Sequence, residues 1–383
     1  MKLTLHIVSF DIPYPPNYGG VIDVYYKIRA LHEAGVKVIL HCFQDQRDPS
    51  SELEKLCAEV LYYHRKKSIL DLFSLKPFIV SSRNSESLLK RLLQDDYPIL
   101  FEGLHTCSIL NNPALVERKK IYRESNIEHH YYYHLFKATG NIPDKVFFLA
   151  ESLKLRWFQR ILKHADLMLT VSLADEQYLR KKFPQKDIRY LPSFHRDDKI
   201  NSMPGRGSYL LYQGKLSVPE NIRAAEDIIN HIYTDSLPDL VIAGMNPPAH
   251  LIKLIEKHSN IRLEINPDED RMFELIREAH INLMVTSQAT GLKLKLLNAL
   301  FHGRYCLVNP EMLVGTGLNS ACTVATTPQQ FREEIGHLFM KDFDAGMIAR
   351  RETIIMEKYS NKKNCESLLD ILTLFYEKNP RSG

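Results

Sequence analysis

The sequence predicts an α/β protein made of two doubly wound parallel-sheet domains in tandem, and three observations predict it. Leu3 to Phe10 reads as a buried strand, Val21 to Ala34 as a helix stopped by Gly35, and Val36 to Cys42 as a second strand, which together open a βαβ unit. After the polar stretch from Pro192 to Ser208, which carries Pro204, Gly205 and Gly207, the pattern restarts with a strand over Ser208 to Gln213 and a helix begun by Pro219. A chain of 383 residues is also too long for one ordinary core, and about 150 residues per domain gives two or three.

Taken in order, the first half places polar residues just beyond strand ends. The loop Asp11 to Gly20 is rich in proline and closes on Gly19-Gly20 at a helix start, where the backbone can approach a ligand closely or simply turn. The dinucleotide fingerprint Gly-x-Gly-x-x-Gly is absent, so a nicotinamide enzyme is not supported. Leu53 to Val60 reads as a helix, and Ile69 to Val80 as an apolar patch interrupted by Pro77, suited to burial or to an acceptor or lipid contact. Pro98 to Glu102 reads as a strand with Gly103, Leu104 and His105 at its C-terminal end. Ligands of doubly wound sheets bind beyond such ends, so Glu102 and His105 are candidates, with a purely structural histidine as the alternative.

Lys120 to Arg123 is the next strand, followed by the polar run from Glu124 to His130 and the aromatic triplet Tyr131-Tyr132-Tyr133, which reads as packing. Helices over Glu151–His164 and Ala174–Phe183 alternate with strands over Leu167–Val171 and Ile188–Leu191.

In the second half, the strand at Ser208 ends in Gly214-Lys215. Leu240 to Ala243, Ile261 to Ile265 and Ile281 to Val285 read as strands, with a helix over Asp268–Ala279. Thr290 to Arg304 then forms a turn and a helix. Gly291 lies in the turn, Leu292, Leu296, Leu297 and Leu300 recur at helical spacing, and a strand over Tyr305–Val308 follows. Lys293 and Lys295 fall in the first turn, where free N–H groups and the helix dipole favour an anion such as phosphate; two lysines on a solvated helix start are the plain alternative. Ala345 to Tyr359 and Asn361 to Tyr376 read as two closing helices.

This last stretch resembles the donor-binding helix of the GT-B fold glycosyltransferases, closest to the family 4-like group. Three further segments agree in family order: the Gly19-Gly20 loop, the run Arg123 to Tyr132 with Asn126, Ile127 and Glu128, and Gly214-Lys215 with Asn221. The family usually places glutamates where this chain has Thr290 and Asn298, and a histidine where it has Ser125. Asn298 can still hydrogen-bond a ribose hydroxyl, more weakly than a carboxylate would.

The resemblance implies two Rossmann-like domains facing across a cleft: residues 1–200 joined by the helix 361–378 to bind the acceptor, and residues 204–360 to bind the donor. It implies a hexosyltransferase that moves a sugar, with retention and without a metal or other cofactor, from a nucleotide-diphosphate donor to a glycan, lipid-linked or polysaccharide-precursor acceptor of the cell envelope. His105, Asn126 and Glu128 are the expected catalytic group. Gly19, Gly20, Lys215, Gly291, Lys293, Lys295 and Asn298 are the expected donor-binding group. A sugar-nucleotide epimerase and a non-catalytic binding or scaffold protein of the same fold are the alternatives.

Composition bounds these readings. With 44% hydrophobic and 25% charged residues the chain is of ordinary globular type, no apolar run approaches the roughly 18 residues of a membrane span, and Met1 to Val8 reads as a strand rather than a leader. Six cysteines without a Cys-x-x-Cys pair fit reduced thiols of a cytoplasmic protein, and the histidines form no metal-ligand spacing. Residues 1–199 carry 30 Lys+Arg against 24 Asp+Glu, or +6, and the rest 20 against 22, or −2. The basic triplets at Arg65, Arg118 and Arg180 make up much of that excess. They suit either a peripheral membrane or anionic-acceptor contact through the first domain, or solvated corners; nucleic acid is not an expected partner.

Overall fold

The computed structural model describes residues 3–68, 74–287 and 293–377. The chain divides into two compact units, the first holding residues to Arg196 together with those from Tyr359 onward, the second lying between them. Each is an α/β layer structure around a parallel sheet.

In the first unit the strands are β1 (Thr4–Ser9), β2 (Lys37–Gln44), β3 (Glu59–His64), β4 (Ile99–Glu102), β5 (Lys120–Glu124), β6 (Leu167–Thr170) and β7 (Asp187–Tyr190). They lie in the order β3-β2-β1-β4-β5-β6-β7, all parallel. The order reverses between β1 and β4, and beyond the C-terminal ends of those two strands lies the crevice that such sheets offer to ligands. Both faces are covered, so the strands are nearly continuous apolar runs. Successive residues of β4 point to opposite layers: Phe101 joins one core with Val8 and Tyr122, and Leu100 the other with Leu5 and Ile121.

The helix Asn361–Glu377 adds Leu368, Ile371 and Leu372 to that second core, each contributing about 1.5–3 kcal/mol by burial. The Tyr376 hydroxyl fixes its register, donating to the Thr4 carbonyl at 2.6 Å and accepting from the Thr4 N–H at 3.0 Å.

In the second unit the strands are β8 (Leu210–Gln213), β9 (Leu240–Gly244), β10 (Ile261–Ile265), β11 (Ile281–Met284), β12 (Tyr305–Val308) and β13 (Thr323–Val324). Their order is β10-β9-β8-β11-β12-β13, again parallel. Its switch point falls between β8 and β11, the two strands whose ends carry the expected phosphate-binding segments.

Three elements differ from expectation. The helix expected over Leu53–Val60 is only Ser51–Leu56, and β3 follows it; Leu53, Leu56 and Val60 have helical spacing, but β3 is an edge strand with mostly half-buried side chains. The aromatic triplet Tyr131–Tyr133, expected as packing, lies on a helix Glu128–Ala138 and meets that expectation in part: Tyr132 packs against the first core, while Tyr131 is half-buried and Tyr133 exposed. The next helix begins at Ile142 rather than Glu151 and runs to Phe158. The stretch expected as a linker is ordered at both ends. Arg123 donates to the carbonyls of Leu191 and Pro192, and Gly205 pairs with Phe343.

Candidate functional site

In the first unit the crevice beyond β1 and β4 is lined by a ring, a carboxyl and a guanidinium. Gly103, at φ 71°, turns the chain out of β4 into the short helical turn Leu104–Ile109 that carries His105. The His105 ring lies 5.1 Å from that of Phe10, just past β1, and its Nδ1 stands 3.9 Å from Glu128 Oε1. That distance is too long for a hydrogen bond, and the buried Nδ1 has no hydrogen-bond partner among the described residues. Glu128 is the first residue of its helix and is itself buried.

Burial pushes the Glu128 carboxyl up to about 8, against the pull of Arg83. Burial, with Arg83 and Arg65, holds His105 well below the ordinary imidazole range. Both groups are therefore largely neutral at pH 7: a carboxylic acid with a proton to donate beside an imidazole with a nitrogen to offer. Arg83 is anchored by its own donors to the carbonyls of Phe10 at 2.8 Å and Ile79 at 2.7 Å. Asn126 sits half-buried between β5 and that helix, two residues before Glu128. The structure thus brings His105 and Glu128 together, with Asn126 adjacent in the chain.

Glu102 belongs elsewhere. Its carboxylate faces the opposite layer, where Lys27 Nζ donates to it at 2.6 Å and to Asp23 at 2.9 Å. Arg123 completes the network, reaching Asp23 at 3.2 Å, and Ser193 and the Phe194 N–H each donate to the same Asp23 oxygen at 2.8 Å. All four charged side chains are buried, and two acids face two bases. This is a closed structural clamp beneath the helix Gly19–Glu33, so the polarity of Glu102 and Arg123 is accounted for by the fold.

Gly19 and Gly20 open that helix, which has no side-chain cap and no acid in its first turn. Gly20 answers first to packing: a Cβ there would lie 2.4 Å from the Phe10 ring. Gly19 is exposed.

In the sequence Glu124 reads only as the start of a polar run beyond a strand end. It lies at the end of β5 and is buried, and its carboxyl is raised well above the usual range by burial and by Asp175 and Glu128. Its position as the last residue of a buried strand was the available signal.

In the second unit, the helix Leu294–His302 follows β11, and Lys293 occupies its N-cap position while Lys295 is its second residue. Among the described residues no side chain caps this end and no acid sits in its first turn, so the positive end of the helix dipole meets no fixed negative charge there. Lys295 Nζ stands 3.4 Å from Asn221 Oδ1 and 5.6 Å from the centre of the Tyr212 ring. Asn221 in turn donates to the Lys215 carbonyl at 3.1 Å. One asparagine thus ties the loop after β8 to the lysine after β11.

Burial lowers the Lys295 pKa, and Glu220 opposes that shift. Sequence reading missed Glu220 because an acid after Pro219 looks like an ordinary first-turn residue. Its carboxylate accepts from the Thr286 hydroxyl at the end of β11. Lys293 is buried, Lys215 exposed and Asn298 half-buried. Gly291 lies outside the described residues. A surface cavity of about 860 Å³ in this unit is lined by Ser208, Asp239 and Asn260, which precede β8, β9 and β10; it is at the wrong end of the sheet for this site.

No protein-family model matches the sequence. A Klebsiella pneumoniae protein described as an uncharacterized 44.6 kDa protein in the cps region is 25% identical over 334 residues, 82% of this chain and 84% of its own. Among solved structures, sucrose-phosphate synthase from Thermosynechococcus elongatus superposes with a TM-score of 0.70 at 13% identity, over 99% of this chain and all of that one. TarM of S. aureus gives 0.70 at 11% identity, over 97% of this chain and 99% of its own. HepE of Anabaena, solved with UDP, gives 0.66 at 10% identity, over 97% and 100%. These likenesses establish the GT-B fold for this chain.

Proposed function

We propose that the protein transfers a sugar from a nucleoside-diphosphate donor to a glycan, lipid-linked or polysaccharide-precursor acceptor. The observation that carries this is the meeting of Lys295, Asn221 and the Gly214-Lys215 loop at the uncapped helix beyond β8 and β11. A diphosphate leaving group needs an interaction with positive charge that strengthens as it departs, and a lysine beside a helix N-terminus supplies it without reorganisation. Lys215 and Lys293 add charge at the same strand ends. Support for the donor class comes from the shared fold and from UDP bound to HepE. Support for an envelope polysaccharide acceptor comes from the cps-region relative.

In this proposal the first unit binds the acceptor through His105, Asn126 and Glu128, and Asn298 holds the donor ribose. Transfer proceeds with retention, and the lysines and helix dipole do the work that a metal–diphosphate bridge does in other transferases. The first test is thermal shift with a panel of nucleotide sugars, followed by transfer assays. Lys295→Ala should weaken donor binding by about 10- to 100-fold, since a charge-assisted bond to phosphate contributes about 1.5–3 kcal/mol. Unchanged donor affinity in both Lys295→Ala and Lys215→Ala overturns the assignment, and donor binding without any turnover leaves a binding protein. Activity lost to a chelator and restored by manganese would refute metal independence.

A further inference from the structure

The helix Ile142–Phe158 buries one side and leaves an apolar stripe on the other. Its inner side is fixed to the first unit. Leu155 and Phe158 enter the core, Ser152 donates to the His129 carbonyl at 2.8 Å, and Glu151 accepts from the Phe78 N–H at 2.7 Å. On the opposite side stand Ile142, Val146, Leu149, Leu153 and Trp157, exposed by 73, 65, 37, 60 and 58%. Their spacing keeps them in line along the helix. The preceding helix, Glu128–Ala138, packs beside it through a tight connection. From His130 to Ala150, across the tip of this hairpin, no side chain is buried although the stretch is rich in Tyr, Phe and Leu.

Charge accompanies the stripe. Residues 141–163 hold five Lys/Arg against two acids, and one of those acids, Glu151, is turned into the fold. Helical geometry puts Lys145 and Arg156 along one edge of the stripe, and the exposed Arg160 follows in the short helical turn Gln159–His164. Arg156 and Arg160 also lie near enough to Lys182 of the helix Leu173–Lys182 to act on it, which extends the positive surface. Two basic triplets are less available. Arg118 and Lys120 are buried against backbone carbonyls, and Arg65 is bonded to Ser82 and Asp45.

We propose that this hairpin is a membrane-docking element, with the helix Ile142–Phe158 lying in the headgroup plane of an anionic phospholipid bilayer. Apolar side chains enter the acyl boundary, Trp157 sits at the interface, and Lys145, Arg156 and Arg160 meet lipid phosphates. An anionic surface is favoured over a second copy of the chain because an antiparallel isologous pairing would set two positive edges side by side, whereas lipid phosphates complement them. None of the described helices is long and apolar enough to cross a membrane, so the contact lies on the surface. The proposal deepens the first-unit acceptor reading, since a lipid-linked acceptor would be presented at this surface. It stands or falls without any transfer assay.

Trp157 is the only tryptophan in the protein, so its emission reports the stripe directly. With vesicles of phosphatidylcholine and phosphatidylglycerol the emission should shift to the blue and the full chain should sediment with lipid. Pure phosphatidylcholine should give far less binding, and raised salt should release the protein. Val146→Glu with Leu153→Glu, at positions more than half exposed, should keep the melting temperature and cut vesicle partitioning tenfold or more. Arg156→Glu with Arg160→Glu should reduce it by about fivefold per residue or more. Sedimentation without an emission shift, equal partitioning of parent and variants, or a concentration-dependent dimer dispersed by Leu153→Glu would each overturn it.

Discussion

Beyond β4 of the first unit stand an imidazole and a carboxylic acid, both largely neutral at pH 7, whereas beyond β8 and β11 of the second stands a lysine beside an uncapped helix. The two sheets share one strand order through their first six strands, so topology offers both the same kind of crevice. What differs is how each treats charge. The first unit shuts Asp23, Lys27, Glu102 and Arg123 into a clamp on the far face of the sheet. It leaves a neutral imidazole and carboxyl in the crevice, beside the one guanidinium of Arg83, which backbone carbonyls anchor. The second keeps a cation in the crevice, with Glu220 opposing the effect of burial on it. Neutral donors and acceptors suit the hydroxyls of a sugar acceptor, while a retained cation suits a diphosphate. The contrast teaches that the strand order locates a site and the residues at the strand ends decide what it can hold.

The largest effect should come from breaking the clamp. Lys27→Met leaves Asp23 and Glu102 buried with one cation fewer and should cost about 3–5 kcal/mol in a denaturant melt. A loss under 1 kcal/mol would show that Glu102 and Asp23 are not held by Lys27, and would return Glu102 to the crevice as a candidate. Next, His105→Ala or Glu128→Ala should reduce turnover by about 100-fold. Donor affinity, measured by calorimetry, should change by less than about twofold in the same variants, because a group acting mainly in the transition state affects kcat more than ground-state binding. Loss of donor binding in either variant, with folding preserved, would erase the distinction between the two crevices.

Much of this is legible in the sequence. Both switch points show in the sequence as strands ending in glycine, at Gly103 and Gly214, and the residues just after them form the two candidate sites. Which way a strand-end residue points was harder. Glu102 and His105 are three residues apart, yet one serves the clamp and the other the crevice, and only Lys27 and Arg123, distant in sequence, explain why. Lys295 was legible from the helix pattern; its tie to Asn221 was not, because it depends on how close two loops come. The hairpin, of which the sequence reading covers only the Tyr131–Tyr133 triplet and the helix from Glu151, was hard to see for a different reason. Tyr, Phe and Leu in numbers suggest a core, but the spacing of Ile142, Val146, Leu149, Leu153 and Trp157 could also mark an outward stripe, and only the buried positions of Glu151 and Ser152 show which side faces in.

The smallest expected effect is also the sharpest for the first crevice, since it reports the protonation state on which the contrast rests. Burial raises the Glu128 carboxyl to about 8, so the group keeps its proton below that pH and loses it above. If the acid form donates a hydrogen bond to the acceptor, turnover should be level near neutrality and fall above pH 8, by up to tenfold per unit. The ionised form would also place an anion beside the neutral His105 ring, 3.9 Å away, with the anchored Arg83 to answer it. Glu128→Gln keeps the shape and a donor N–H but cannot ionise. It should retain most of the activity at pH 7 and show no alkaline fall assignable to this group. A general base would behave oppositely: turnover would rise toward pH 8 in the parent, and the glutamine variant would be inactive at every pH. A pH–rate profile of the two proteins, with donor saturating, distinguishes these outcomes. A rising parent profile would mean that the crevice takes a proton from the acceptor rather than lending one to it.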